Sequence, residues 1–377
     1  MIGLRYISLF GSSGYAQTAR RYLTALAGLG MPVTWTPMVP GNLWRMGFEP
    51  FDGRSVGDPE LDPLCNRHID YDVVLLHIMP AFYPRLMEMA RGKRVAAYAV
   101  WETDRLPRTW RPYLKDIELL MVPGEWNRKI FSDGGFTGPI EVVPHSLLRG
   151  HTPFPESRED TAEFVFYSIN VWSDRKALDL TIEAFCRAFT AKDPVRLVLK
   201  TSERHEMRRV PITAWFPVST RWLIHRILRR HGDHPPLTVI TDFLSQEAML
   251  ELHRQGDCYV SLTRSEGWGM GAFDAAALGR PVIITGFGGQ SEFLPADLAH
   301  LVRYRMVKTP FRPMEQFELG HKWAQPDVNH GAALMRYVFE NRAESRAKAR
   351  ELSRRLCVTY ENERVAKRLL AALQKHF

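Results

Sequence analysis

The stretch from Arg264 to Gly289, RSEGWGMGAFDAAALGRPVIITGFGG, constrains the fold more than any other part of the chain. It follows an apolar run, Cys258 to Leu262, that reads as a strand. Gly267, Gly269 and Gly271 make a permissive loop, and Ala272 to Leu278 is a run of helix formers. Gly279, Arg280 and Pro281 stop that helix, and Val282 to Thr285 reads as a second buried strand. Strand, loop, helix and strand in this order build a parallel sheet, because parallel neighbours need a crossover connection. Glycines ahead of a helix let backbone N–H groups approach a ligand closely, and the helix N-terminus favours negative charge. The two acids of the stretch, Glu266 and Asp274, cannot bind phosphate, but they can accept hydrogen bonds from hydroxyls. An anion and a polyol held side by side describe a sugar nucleotide.

The same alternation runs along the whole chain. Leu4–Phe10, Met31–Pro37, Val73–His77, Arg94–Val100, Ile117–Val122 and Ile140–Val143 read as strands, with a helix from Tyr15 to Leu29 and a helix-like segment reaching Ala90. Pro144 to Asp160 is richer in Pro, Gly, Ser and charge and reads as a linker. A second series follows, with strands at Phe164–Ile169, Arg196–Thr201 and Leu237–Thr241 and helices at Ala177–Phe189 and Ser245–Arg254. Strands and helices alternating in this way predict an α/β protein with two parallel, doubly wound sheets. The boundaries are 1–147 for a first Rossmann-like domain and 148–357 for a second.

The Arg264–Gly289 segment, with CYVSLTRSEGWG before it and GGQSE after it, resembles the signature of retaining GT-B glycosyltransferases of family 4. That pattern is a Glu, seven residues, a second Glu, a small-residue helix and a G-x-P-V-I strand; here Asp274 stands for the second Glu. The resemblance implies two Rossmann-like domains facing a cleft, the first for the acceptor and the second for the donor. It also implies a last helix, about 358–377, that crosses back to the first domain. It implies transfer of a hexose from a nucleotide diphosphate sugar to a saccharide or lipid-linked acceptor, with no metal and no further cofactor. Backbone at Gly269, Met270 and Gly271 would meet the diphosphate, Asp274 the ribose, and Glu266 the transferred sugar, with Glu292 as a further sugar candidate. Arg175 and Lys176 match the family's basic pair, whose fixed charge would stabilise the departing nucleotide. Gly11 and Gly14 match its first glycine loop, although no G-x-G-x-x-G fingerprint is present. Lys200, at a strand end, is another donor candidate. Glu102 and Asp104 in WETDRLP, and His77 at a strand end, are acceptor or sugar candidates, since open α/β sheets bind ligands beyond the carboxyl ends of their strands. Asp104 reads equally well as a cap for the segment after it, and His145 reads as a packed histidine. Recognition of the base is expected near Thr241 to Ser245, mostly through backbone.

The remaining features bound the setting. Four scattered cysteines suggest a reducing compartment and no disulfide or zinc framework. No apolar run is long enough to span a bilayer, and the short N-terminal run reads as a strand, so a cytoplasmic protein is expected. The net charge is +8. In Arg221–Arg230, RWLIHRILRR, one face is apolar; a core-facing stripe is the preferred reading, and peripheral contact with an anionic membrane is the other. Nucleic acid is not the expected partner, because the charge is not gathered in one tail and no nucleic-acid signature accompanies it. Two alternatives to the transferase remain: a sugar-nucleotide-binding protein without turnover, suggested by Asp274, and a DNA-base glycosyltransferase, suggested by the charge.

Overall fold

The computed structural model describes residues 2–41, 47–148, 153, 163–210, 213–310 and 317–377, with the side chains of all of these but 206–210 and 213–217. The chain divides into two compact units. One comprises Met1–Gly150, Pro310–Leu319 and Val358–Phe377, the other His151–Thr309 and Gly320–Cys357.

The first unit holds a seven-stranded sheet of β1 (Leu4–Leu9), β2 (Val33–Pro40), β3 (Phe48–Pro50), β4 (Val73–His77), β5 (Arg94–Tyr98), β6 (Leu119–Val122) and β7 (Ile140–Val142). Its order is β3-β2-β1-β4-β5-β6-β7, and only the short edge strand β3 is antiparallel. Strands such as β4 and β6 are buried along their whole length. That is why they read as unbroken apolar runs rather than as alternation. The helices of this unit are α1 (Gly14–Gly28), α2 (Tyr83–Met89), α3 (Glu125–Asp133) and, from the far end of the chain, α10 (Asn362–His376). Ala19, Tyr22, Leu23 and Leu26 of α1 share one core with Val365, Ala366, Leu369 and Leu373 of α10. Lys375 and His376 fix the end of α10 to Glu141 at 2.7 and 2.8 Å.

The second unit repeats the winding. Its main sheet holds β8 (Phe164–Ile169), β9 (Val195–Lys200), β12 (Leu237–Ile240), β13 (Cys258–Ser261), β14 (Val282–Thr285) and β15 (His300–Val302). The order is β12-β9-β8-β13-β14-β15, and every pair is parallel. Both sheets are therefore doubly wound, as the strand–helix alternation predicts. Two antiparallel hairpins stand outside this sheet: β10 (Arg204–Val210) with β11 (Thr213–Ser219), and β16 (Tyr304–Lys308) with β17 (Lys322–Pro326). The helices are α4 (Leu178–Ala188), α5 (Thr220–Leu228), α6 (Gln246–Gln255), α7 (Met270–Ala277), α8 (Val328–Glu340) and α9 (Arg342–Thr359). Leu223 and Ile224 of α5 join the core, with Ile227 and Leu228 packed against it. The apolar face of α5 is thus spent on the fold. Most of the expected linker, 144–160, lies outside the described residues. Among the described residues no helix is long and apolar enough to cross a membrane, and all four cysteines are free thiols.

One consequence concerns acid stability. His77 is enclosed by Tyr6, Tyr15, Tyr22 and Tyr98, and Tyr6 Oη lies 2.5 Å from its Nδ1. Burial pushes the His77 imidazole down to about 3 and holds His145 well below its ordinary value; His300 falls to about 4 for the same reason. The unfolded chain protonates these rings below about pH 6.5, whereas the folded chain does not. Stability from their neutral burial is therefore full above that pH and is lost as pH falls. At about pH 5 His77 and His300 each cost about 2 kcal/mol. Urea unfolding at about pH 7.5 and about pH 5 is expected to show the drop; a flat profile across that window contradicts it.

Candidate active site

The Glu266 loop and the start of α7 converge with the Arg175–Lys176 segment. α7 is introduced by Gly269 at φ 92°, a left-handed conformation that a side chain would oppose. As the N-cap, Gly269 has no side chain with which to cap the first turn. Gly269, Met270 and Gly271 are partly exposed, while Ala272 and Phe273 are buried. Gly271 has no room for a side chain, because an added Cβ would lie 2.7 Å from Tyr259 Oη and 3.2 Å from the Ile169 carbonyl oxygen. Trp268, Phe273 and Phe293 pack ring to ring beneath the turn, with centroids 5.0–5.3 Å apart. Asp274 lies one turn further along α7, on the same face as Met270, and is partly exposed.

Glu266 is the electrostatic centre of this site. Lys176 Nζ lies 2.8 and 2.7 Å from its two carboxylate oxygens, and Arg175 Nη1 is 3.4 Å from one of them while donating to the Ser265 carbonyl at 2.8 Å. The Glu266 side chain is only 7% exposed. Burial works to raise its pKa, but Lys176 and then Arg175 outweigh it and hold the carboxyl below its ordinary range. Glu266 is therefore an anion that only accepts hydrogen bonds. Burial, and then the Glu266 charge, push the neighbouring Tyr259 phenol well up. Two fixed cations against one carboxylate leave this triplet with a net positive charge, suited to a further anion.

The basic pair is not in a helix. The expected helix from Ala177 starts instead at Leu178, and Ala177 is left-handed at φ 46° with its side chain fully buried. That conformation costs about 1–2 kcal/mol in an L-residue, and it marks the place where the chain turns the Lys176 ammonium back toward Glu266. Arg264 secures the turn. Its backbone N–H donates to the Arg175 carbonyl at 2.8 Å, its guanidinium donates to the Asp174 carbonyl and, at 3.2 Å, to Gln325, and it lies over the Trp323 ring. The Asp174 carboxylate reaches buried His205 at 3.3 Å. Below Glu266, the Gly289 N–H donates to the Glu266 carbonyl at 2.8 Å. Asn170 sits among Ser168, Tyr259 and Ser261 at the ends of β8 and β13, its amide donating to each side-chain oxygen at 3.2–3.4 Å. None of Ala177, Arg264, Gly289 or Asn170 is singled out by the sequence reading. Arg264 and Gly289 only bound the glycine-rich stretch there, and Ala177 and Asn170 carry no mark of their own.

Lys200, at the end of β9, is half-buried and donates to the Thr201 carbonyl at 3.3 Å; burial lowers its pKa although Asp242 acts the other way. Glu292 closes the short 3₁₀ turn Gly289–Glu292 and is partly exposed. In the first unit, Gly11 is left-handed at φ 129° and Gly14 opens α1, whose first turn is capped by Ser13. Tyr15 donates to the Val100 carbonyl at 3.1 Å, and the Glu102 charge adds to burial in raising the Tyr15 phenol, so the glycine loop and Glu102 share one end of the sheet. Asp104 pairs with Arg105 at 3.4 Å. The following 3₁₀ turn Arg108–Leu114 is capped by Glu318, which accepts from the N–H groups of Arg108 and Thr109 at 3.0 and 3.1 Å. His77 has no exposed surface, so it takes no part in the site proposed below. Among the described residues no group of three or more His, Cys, Asp or Glu side chains is arranged to hold a metal ion.

Comparison with solved structures shows the fold. Sucrose-phosphate synthase from Thermosynechococcus elongatus superposes with a TM-score of 0.72 at 13% identity, over 100% of this chain and 99% of that one. Anabaena HepE in complex with UDP-glucose gives a TM-score of 0.67 at 11% identity, over the full length of both. A variant of S. aureus TarM in complex with Fondaparinux, alpha-GlcNAc-glycerol and UDP gives 0.58 at 13% identity, over 80% of this chain and 55% of TarM, so the chain spans about half the length of that protein. No curated protein matches the sequence significantly. Residues 176–369, more than half of the chain and nearly all of the segment that builds this site, match the family described as family 4 glycosyltransferases in conflict systems; the chain is a GT-B glycosyltransferase and belongs to that family.

Proposed function

We propose that the chain transfers a hexose from a uridine diphosphate sugar to a hydroxyl of a saccharide or glycolipid acceptor, with retention of configuration and without a metal ion. The observation that carries this reading is the pairing of Lys176 and Arg175 with ionised Glu266 beside the first turn of α7. The second unit would hold the donor, and the first, with the Gly11–Gly14 loop and Glu102, the acceptor. The diphosphate lies against the backbone N–H groups at the start of α7, where the helix dipole and the two cations favour it. As the sugar–phosphate bond breaks, charge builds on the leaving phosphate oxygens. Lys176 and Arg175 stabilise that charge without having to reorganise. Glu266, freed from part of its ion pairing, accepts hydrogen bonds from the sugar hydroxyls, while Asp274 accepts from the ribose. Glu266, held anionic, has no proton to give the leaving group, whose charge the two cations offset; a phosphate oxygen takes up the acceptor proton on the face from which the nucleotide departs. Uridine is favoured as the base because HepE and TarM were solved with UDP-glucose and UDP respectively.

A thermal-shift panel of UDP-, GDP-, ADP- and dTDP-sugars tests the reading. A UDP-hexose at about 100 times its Kd is expected to add about 2.7 kcal/mol of stability. UDP release with an acceptor present, and a product whose anomeric signal matches the donor's, would follow. A panel in which no sugar nucleotide raises the melting temperature contradicts the proposal, and an inverted product contradicts retention.

A further inference from the structure

The second unit carries a basic face that the transfer site does not use. It begins where the β10–β11 hairpin leaves the sheet and runs along α5. Arg204, Arg221, Arg226, Arg229 and Arg230 are all exposed there, and the acids of 203–234 are Glu203, Glu206 and Asp233. Among the described residues, Arg221, Arg226, Arg229 and Arg230 form no ion pair. Trp222 is 54% exposed on the same side of α5, with the Arg226 guanidinium 5.5 Å from its ring. Arg221 and Arg226 are separated by a rise of roughly 7.5 Å along α5, and Arg229 and Arg230 follow in the turn at its end.

We propose that this face is a docking surface for nucleic acid. Guanidinium groups grip phosphate oxygens through their planar fork, and an exposed indole offers a platform on which a base can stack. Bases stack on aromatic rings in a way that tolerates sequence, so a groove of this kind tracks a strand rather than reading it. A bilayer is the poorer occupant. The face of α5 that would enter lipid, formed by Leu223, Ile224, Ile227 and Leu228, is packed into the core. What remains outside is charge and a single ring. The surface is also fastened to the donor site. Asp174, next to Arg175, contacts His205 at the root of β10 at 3.3 Å, the Trp172 N–H donates to Ser202 Oγ at 3.0 Å, and the Thr220 N–H donates to the Glu203 carbonyl at 3.0 Å. A strand lying on α5 is thereby kept beside the Arg175–Lys176 turn. The inference does not depend on which donor the enzyme uses.

Fluorescence anisotropy with a labelled oligothymidine and with a labelled duplex tests it, at salt from about 50 mM to about 200 mM. Wild type is expected to bind with a log–log salt slope of about −2 to −3, as three or four phosphate contacts on a single strand require. The triple substitution R226Q/R229Q/R230Q should weaken binding about tenfold or more and flatten the slope by about 2. An equal charge removal on α9, R350Q/R354Q/R355Q, should change affinity less than about threefold, and Trp222→Ala should weaken single-strand binding about fivefold or more. Both triple variants should keep the thermal shift with UDP-hexose, which shows that they fold. No binding at low salt, or equal losses in the two triple variants, overturns the proposal. Flotation with phosphatidylglycerol vesicles that needs the α5 arginines and is not competed by oligonucleotide overturns it in favour of a membrane.

Discussion

Lys176→Ala lowers kcat by roughly 10²–10³-fold, the effect of removing one fixed stabiliser of transition-state charge. The ammonium lies 2.7 and 2.8 Å from the two carboxylate oxygens of Glu266, and without it Arg175 at 3.4 Å is the cation left beside a buried carboxylate. Two effects then coincide. The leaving diphosphate loses a positive charge, and Glu266 loses the larger of the two attractions that keep it ionised. The second effect gives a readout that a general loss of folding would not produce. The acid limb of kcat against pH should move to higher pH in the variant, because a carboxyl whose pKa rises is protonated sooner as pH falls. Lys176→Arg, which keeps the charge but not its compact form, should recover part of the rate. A Lys176→Ala enzyme within about threefold of wild-type kcat, about 0.6 kcal/mol in the barrier, would remove this residue from the chemistry.

Gly289→Ala is the second large effect, and it is steric. An added Cβ would lie 1.8 Å from the Gly267 carbonyl oxygen, 2.4 Å from its carbon and 3.1 Å from the Trp268 nitrogen. All three are backbone atoms, so no side chain can swing aside. The Glu266–Trp268 loop must move instead, taking with it the bond from the Gly289 N–H to the Glu266 carbonyl. Overpacking of this severity costs about 3 kcal/mol, the upper end of the usual range. For a unit of this size that is about 6–12 °C in Tm. Activity should fall below detection, because the displaced loop carries Glu266. Gly28→Ala is the control: nothing lies within 4 Å of its added Cβ, and Gly28 ends α1 at an ordinary backbone angle. Calorimetry should find that control at or slightly above the wild-type Tm. A Gly289→Ala protein that melts with wild type and keeps its activity would mean that the loop is not held as described.

What the sequence made legible follows from what each element buries. β4, β13 and β14 are short, wholly buried runs bounded by Gly, Pro or polar residues, and these were placed to within a residue. The Glu266 loop was visible because its glycines and the small-residue helix after it are matters of composition. The β16–β17 hairpin was not, since β16 is mostly exposed and carries neither an apolar run nor a buried alternation. The long helix α9 buries Ser345, Ala349, Leu352, Ser353 and Leu356 within a chain of charges, and small or polar residues on its inner face mute the helical period. The supports of the site were hidden for a different reason. Arg264 acts on the backbone carbonyl of Asp174, Gly289 on that of Glu266, and Ala177 through its own backbone angle. Side-chain letters do not encode partners of that kind. Glu318, which caps the turn at Arg108 from more than two hundred positions away, could be found only once the chain had folded.

Titration calorimetry of UDP against uridine, in wild type and in Lys176→Ala, tests most directly whether this site grips a diphosphate. The structure predicts that UDP binds wild type at least about 100-fold more tightly than uridine, about 2.7 kcal/mol, and that most of this difference disappears when Lys176 is removed. Equal affinities for UDP and uridine, or a preference for UDP that survives the loss of Lys176 unchanged, would place the phosphates somewhere else and contradict the account.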